Sequence, residues 1–209
     1  MSDDKHGSAV AHSSSGCEDC SRRNLLIATT VVGGAAGVGA AVPFVASFMP
    51  SERAKAAGAP VEADISKLEP GTMMTVEWQG KPVWIIHRTK EQLATLDKDT
   101  AQLADPNSVN SDQPDYIKGP YRSIKPEYMV CVGICTHLGC SPSPKFAPGN
   151  ESGMGSDWPG GFLCPCHGST FDLAARVFKN KPAPDNLVIP PYRYVNDTTL
   201  MIGEDTKGA

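Results

Sequence analysis

Cys135-Thr136-His137-Leu138-Gly139-Cys140 and Cys164-Pro165-Cys166-His167-Gly168-Ser169 are the two stretches from which the rest of the chain can be read. Each offers a cysteine and a histidine within reach of one metal site, and each leaves one further cysteine over. With Cys135, His137, Cys164 and His167 as ligands, two thiolates and two imidazoles converge, a donor set that suits zinc or iron. Cys140 and Cys166 would then lie opposite one another and could close a disulfide between the loops, a bond that persists in an oxidising compartment. A single zinc ion is the plain alternative, although a C-x-H element with a spare cysteine in each loop fits the common zinc spacings poorly.

Both loops are delivered by strand-like runs. Tyr128 to Ile134, β-branched and apolar, leads into the first, and Phe162-Leu163 leads into the second. Upstream, Thr72 to Trp78 and Lys81 to Arg88 flank Gln79-Gly80 as a hairpin would. Thr170 to Leu173, Leu187 to Ile189, Tyr192 to Val195 and Thr199 to Ile202 supply further short strands, and Glu91 to Leu96 reads as a short helix. Eighteen prolines and twenty glycines leave little room for long helices, so the folded part is expected to be mainly β and antiparallel. Cys131 falls inside a strand and His87 in another strand far from both loops, so both are read as structural. The stretch from Ser141 to Gly161 is rich in Gly, Pro and Ser.

The N-terminal part is different in kind. From Leu25 to Met49 the chain carries 25 residues without a charge, enough as a helix to span roughly 37 Å and so to cross a bilayer. Ser21-Arg22-Arg23-Asn24-Leu25-Leu26 before it resembles a twin-arginine export signal. The lesser alternative is that the arginines merely flank a membrane helix as interfacial charges, and a further rival is that Ala54-Lys55-Ala56 is a cleavage site that would release the head. Gly33 and Gly37, four apart, would let another helix come close, and equally they fit the general glycine richness of export signals and membrane helices. Cys17 and Cys20 have metal-pair spacing but no second pair, and are read as incidental thiols. The expected organisation is a cytoplasmic segment 1–23, an anchor helix 24–49, a polar tether 50–63 and a head 64–209 whose cluster-binding part is about 131–172.

With a net charge of -4 and no basic stripe, nucleic-acid binding is not expected. Apolar residues make up 40% of the chain, enough for one core in a head of this length.

CTHLGC followed after 23 residues by CPCHGS resembles the Rieske pair of the cytochrome bc complexes, and the likeness runs through export motif, anchor, tether and head in order. The resemblance implies a Rieske-type antiparallel β head on one N-terminal transmembrane helix, holding one [2Fe-2S] cluster per chain. It implies that Cys135 and Cys164 bind the buried iron, that His137 and His167 bind the outer iron, that Cys140 and Cys166 form a disulfide, and that the Ser169 hydroxyl bonds a bridging sulfide. In such a centre two ferric ions, two sulfides and two thiolates sum to zero charge, so an added electron is less opposed than with four thiolates. The resemblance further implies a translocase subunit, a quinol:cytochrome c oxidoreductase of a respiratory chain that works only within its complex. Its partners are cytochrome b and a membrane-bound c-type cytochrome in a dimeric assembly of the bacterial inner membrane, with the N-terminus cytoplasmic and the head periplasmic. His167, with His137 beside it, would take the hydrogen bond and proton of quinol.

The chain departs from the family at two places. Phe171 stands where many mitochondrial-type members have a tyrosine that bonds the sulfur of the first ligand, and Lys181 opens Lys181-Pro182-Ala183-Pro184 where the family's proline loop usually has glycine. Rival readings are the exported small subunit of an arsenite-oxidase-like enzyme and a photosynthetic-type quinol reductase subunit. A ring-hydroxylating oxygenase would need a second iron domain for which this chain has no room.

Overall fold

The structure, a computed structural model, describes residues 16–51, 58–98, 100–117 and 119–205. Residues 52–57 of the expected tether lie outside those residues. Two compact units separate at Ser51.

The first unit is one helix, α1 (Gly16–Ala46). It starts earlier and ends sooner than the apolar run suggested, because no proline or glycine interrupts 17–32 and helix therefore propagates back through the polar residues ahead of Leu25. Its one internal proline, Pro43, lies in the last turn, and the helix dissolves through Ser47, whose N–H reaches Pro43 and Phe44. Leu25, Leu26, Val31, Val38 and Phe44 all stand exposed on it. Within the described residues Cys20–Ala46 is the one helix long and apolar enough to cross a membrane.

The second unit is built from β1 (Val61–Asp64), β2 (Met73–Trp78), β3 (Lys81–His87), α2 (Lys90–Leu96), β4 (Tyr128–Val132), β5 (Ser143–Lys145), β6 (Gly161–Leu163), β7 (Thr170–Phe171), β8 (Tyr192–Asn196) and β9 (Thr199–Ile202). They pair antiparallel in three small sheets, ordered β1-β9-β8, β2-β3-β4 and β5-β6-β7. The β2-β3 hairpin closes through Gln79 and Gly80, both with positive φ (52° and 70°), as a two-residue turn that follows strand twist requires. At α2 the Thr89 side chain accepts from the Gln92 N–H while the Gln92 side chain accepts from the Thr89 N–H, which pairs two N–H groups the helix would otherwise leave open.

Three expectations are corrected. Val61 to Ala63, read as the end of the tether, are strand, because β1 pairs with β9 from Val61↔Ile202 to Asp64↔Thr199. Leu187 to Ile189 lies in no sheet: its polar groups serve three separate segments, with Val188 O accepting from Val132, the Leu187 N–H reaching Ala175 O and the Ile189 N–H reaching Asp112 O. β7 stops at Phe171 because Asp172 turns the chain, its carboxylate accepting from the N–H groups of Ala174 and Arg176.

One apolar core, including Val83, Ile85, Met129, Val130, Phe162, Phe171, Leu200 and Ile202, runs through all three sheets. Three arginines are buried with it. Arg88 donates to the carbonyls of Tyr121, Leu173 and Pro126, Arg122 to those of Ala174, Ala175 and Leu187, and Arg176 pairs with Asp172 at 2.7 Å. Burial lowers Arg88 and Arg122 to about 10, still charged at neutral pH, with Asp172 pulling both back up. Their guanidinium groups satisfy carbonyls that irregular backbone would otherwise leave unpaired.

Candidate functional site

The two loops are built alike. In the first, the Cys135 N–H donates to Cys140 O (2.8 Å) and the Gly139 N–H to Cys135 O (3.0 Å); in the second, the Cys164 N–H donates to Ser169 O (2.7 Å) and the Gly168 N–H to Cys164 O (3.0 Å). Gly139 and Gly168 each sit four residues after the cysteine with φ of 83° and 75°, a left-handed turn that glycine adopts without strain. This shared glycine offset is legible in the sequence as a repeat within the two stretches, but its cause appears only in the backbone.

The loops close on one another. Cys140 and Cys166 form a disulfide with Sγ–Sγ 2.08 Å and Cα–Cα 6.6 Å. The sulfurs of Cys140, Cys164 and Cys166 lie within 4.8 Å of one another, but two of the three are spent in that bond. The donors left are the buried thiols of Cys135 and Cys164 and the imidazoles of His137 and His167, whose rings stand perpendicular with centroids 4.7 Å apart. Burial raises the Cys135 thiol above its ordinary range and the adjacent Cys164 thiol raises it further, while the His137 backbone and the Ser169 hydroxyl work the other way. His137 is half-buried, and its Nδ1 has no hydrogen-bond partner although it is shielded from solvent. His167 is exposed. A buried imidazole nitrogen without a partner is costly unless a metal takes its lone pair. Two buried thiols and two imidazoles at the edge of the head fit a [2Fe-2S] cluster with mixed sulfur and nitrogen ligation.

Around the donors, Ser169 is wholly buried, and its Oγ accepts from the Ala183 N–H (3.0 Å), which leaves the hydroxyl proton free to point elsewhere. The Thr136 hydroxyl donates to Asp185 O (2.7 Å). Lys181 to Asp185 is thereby tied to both loops, a role for Thr136 and Ala183 that nothing in the residue types announced. Phe171 is buried opposite Phe162 in β7. Cys131 is fully buried in β4, and burial pushes its thiol up to about 12, against the pull of Arg122 and Arg88. His87 bonds Leu68 O through Nδ1 (2.7 Å) and stacks on Tyr128, so it is structural. Cys20 is exposed on α1, and the side chain of Cys17 lies outside the described residues.

Two loops of one design, facing each other across a disulfide with a cysteine and a histidine apiece, define a Rieske-type iron-sulfur protein. The Rieske [2Fe-2S] domain family matches residues 59–193, and the family described as the TAT signal of the ubiquinol-cytochrome c reductase Fe-S subunit matches residues 12–51. The chain belongs to the family of bacterial ubiquinol-cytochrome c reductase iron-sulfur subunits, a membrane-anchored form with an exported head. It is 64% identical over 191 residues to that subunit of Allochromatium vinosum, covering 90% of this chain and 91% of the relative, and 40% identical over 191 residues to that of Blastochloris viridis, covering 91% and 97%. A solved hyperthermophilic respiratory complex III contains a chain 27% identical to this one with a TM-score of 0.45, covering 83% of this chain and 97% of that one. The cofactor is therefore a [2Fe-2S] cluster and not zinc.

Proposed function

We propose that this chain is the quinol-oxidising Rieske subunit of a cytochrome bc complex, taking one electron and one proton from quinol and passing the electron to a membrane-bound c-type cytochrome. The observation that carries the reading is the exposed His167 imidazole beside His137 at a buried thiol pair, in a chain 64% identical to a ubiquinol-cytochrome c reductase subunit over nine-tenths of its length. Cys135, His137, Cys164 and His167 would hold the cluster, and the Ser169 hydroxyl would be placed to donate toward it. When bound, the cluster supplies a one-electron couple whose reduction raises the basicity of the imidazoles that hold it. His167 is exposed and is the group that accepts the quinol hydrogen bond and then the proton, with His137 as the second acceptor. The disulfide joins the two loops at Cys140 and Cys166, and the ties from residues 183 and 185 hold both loops to the 181–185 segment.

Cytochrome b and the c-type cytochrome are the proposed partners, in a dimeric translocase of the bacterial inner membrane, with the N-terminus cytoplasmic and the head periplasmic. Purification of the membrane complex tests the reading: quinol-dependent cytochrome c reduction should accompany a mixed-ligand cluster spectrum, and that spectrum without quinol activity would point to a different reductase.

Two smaller predictions belong here. Phe171→Tyr is expected to raise the cluster potential, because a tyrosine hydroxyl directed at a ligand sulfur stabilises the electron-rich reduced form. One such bond, at about 1 kcal/mol net, corresponds to about 40 mV for a one-electron couple, and a redox titration showing no rise would remove that role for the position. The tether, expected at 50–63 and strand from Val61 on, is proposed to let the head travel between quinol and heme. Prolines introduced between Ser51 and Ala57 should slow turnover and leave the cluster spectrum unaltered.

A further inference from the structure

Trp84, in β3, touches the root of both cluster loops at once. Its ring stacks on Phe162 with centroids 5.0 Å apart and planes 16° from parallel. Its face also rests on Gly133: a Cβ added there would fall 2.2 Å from Cε2, 2.5 Å from Cζ2 and 2.6 Å from Nε1, three nearly equal distances that place it over the ring and not at its edge. Gly133 does not have the positive φ that would itself call for glycine, so the close approach of the indole is what excludes a side chain. Both contacts fall two residues before a cluster cysteine, Gly133 before Cys135 and Phe162 before Cys164. The Gly133 N–H is fixed on Pro82 O (2.8 Å), two residues from Trp84, and Phe162 is braced edge-on by Phe146 at 5.5 Å. Trp84 itself is 4% exposed.

We infer that Trp84 is a positioning residue for the cluster: the rigid indole, in face contact with Gly133 and Phe162, sets the separation of the Cys135 and Cys164 loops and so the geometry of the thiol pair. An indole has two side-chain torsions and a fixed thickness, whereas an aliphatic side chain of similar volume can redistribute and let the loops drift. The disulfide joins the loops at Cys140 and Cys166, on the far side of the two ligands in sequence, so it does not set the spacing at their roots. The role rests on the proposed reading that Cys135 and Cys164 hold the cluster.

The test uses the whole complex, with Trp84→Leu, Trp84→Phe and, as a control for plain loss of core volume, Leu200→Ala in β9, a buried strand residue of the sheet that carries neither loop. Trp84→Leu is expected to shift the EPR g-values and the midpoint potential and to release iron to a chelator about 10- to 100-fold faster, as loss of groups that orient metal ligands does. Trp84→Phe should shift the same observables less, and Leu200→Ala should move neither g-values nor potential. Gly133→Ala should damage the site in the wild-type background and add less in the Trp84→Leu background than alone, since the methyl then meets a side chain able to yield. Wild-type g-values and potential in Trp84→Phe and in any folded Trp84→Leu would overturn the inference. A wild-type spectrum without imidazole ligation would instead overturn the reading of the ligands, and the two failures cannot be confused.

Discussion

Cys135→Ser and Cys164→Ser are each expected to lose the visible and EPR signature of the cluster, and quinol-dependent cytochrome c reduction should fall by more than about 100-fold, beyond the range seen when only groups behind the ligands are changed. Both thiols are buried, and a serine hydroxyl does not ionise to replace a thiolate ligand. The head should still fold, because the backbone bonds that shape each loop, from Cys135 to Cys140 and from Cys164 to Ser169, involve N–H and C=O groups and not the sulfurs. Far-UV circular dichroism therefore separates loss of cluster from loss of fold. Cys131→Ala is the matched comparison. That thiol is buried in β4, pushed up to about 12 and hence protonated at any physiological pH, and its variant should keep both spectrum and turnover. A cluster retained in either serine variant, or lost in Cys131→Ala, would mean that the ligands are misassigned.

The second large effect lies behind the site. Asp172→Ala is expected to cost the head about 3–5 kcal/mol, the usual consequence of leaving one member of a buried ion pair alone. Asp172 and Arg176 are each 1% exposed and 2.7 Å apart, and the same carboxylate accepts from the Ala174 and Arg176 N–H groups. Its removal strands the Arg176 charge, whose remaining partner is Leu96 O, and opens two backbone donors just past β7. Thermal unfolding of the variant should begin about 6–20 °C below wild type, on the 2–4 °C per kcal/mol typical of a domain of this size. Asp172→Asn, which keeps an acceptor but not the charge, should fall between the two. A variant as stable as wild type would show that the pair is not what holds the 172–176 turn.

The β2-β3 hairpin was readable because Gln79-Gly80 between two apolar runs admits few other geometries, and the short helix at 90–96 because its capping residues are local. Val61 to Ala63 was not readable as strand. Its partner β9 lies about 140 residues away in the chain, and neither segment carries a mark of the other. The stretch from Leu187 to Ile189 erred in the opposite direction: it has strand-like residue types, yet its polar groups are claimed by β4, by Ala175 and by Asp112, so it never forms a ladder. The arginines at 88, 122 and 176 carried no signal of burial, since the carbonyls they satisfy come from turns that exist only once the chain has folded.

What the sequence determined by itself was the chemistry: two loops, each with a cysteine, a histidine and a spare cysteine at matching offsets, behind an apolar segment long enough to span a bilayer. Donor type and short-range spacing are properties of neighbouring residues, and they survive whatever the rest of the chain does. Only the tertiary structure decided how those donors are brought together, because the contacts that join the two loops come from groups remote in sequence: the disulfide across the loops, the ties from residues 183 and 185, and the ring of Trp84 against Gly133 and Phe162.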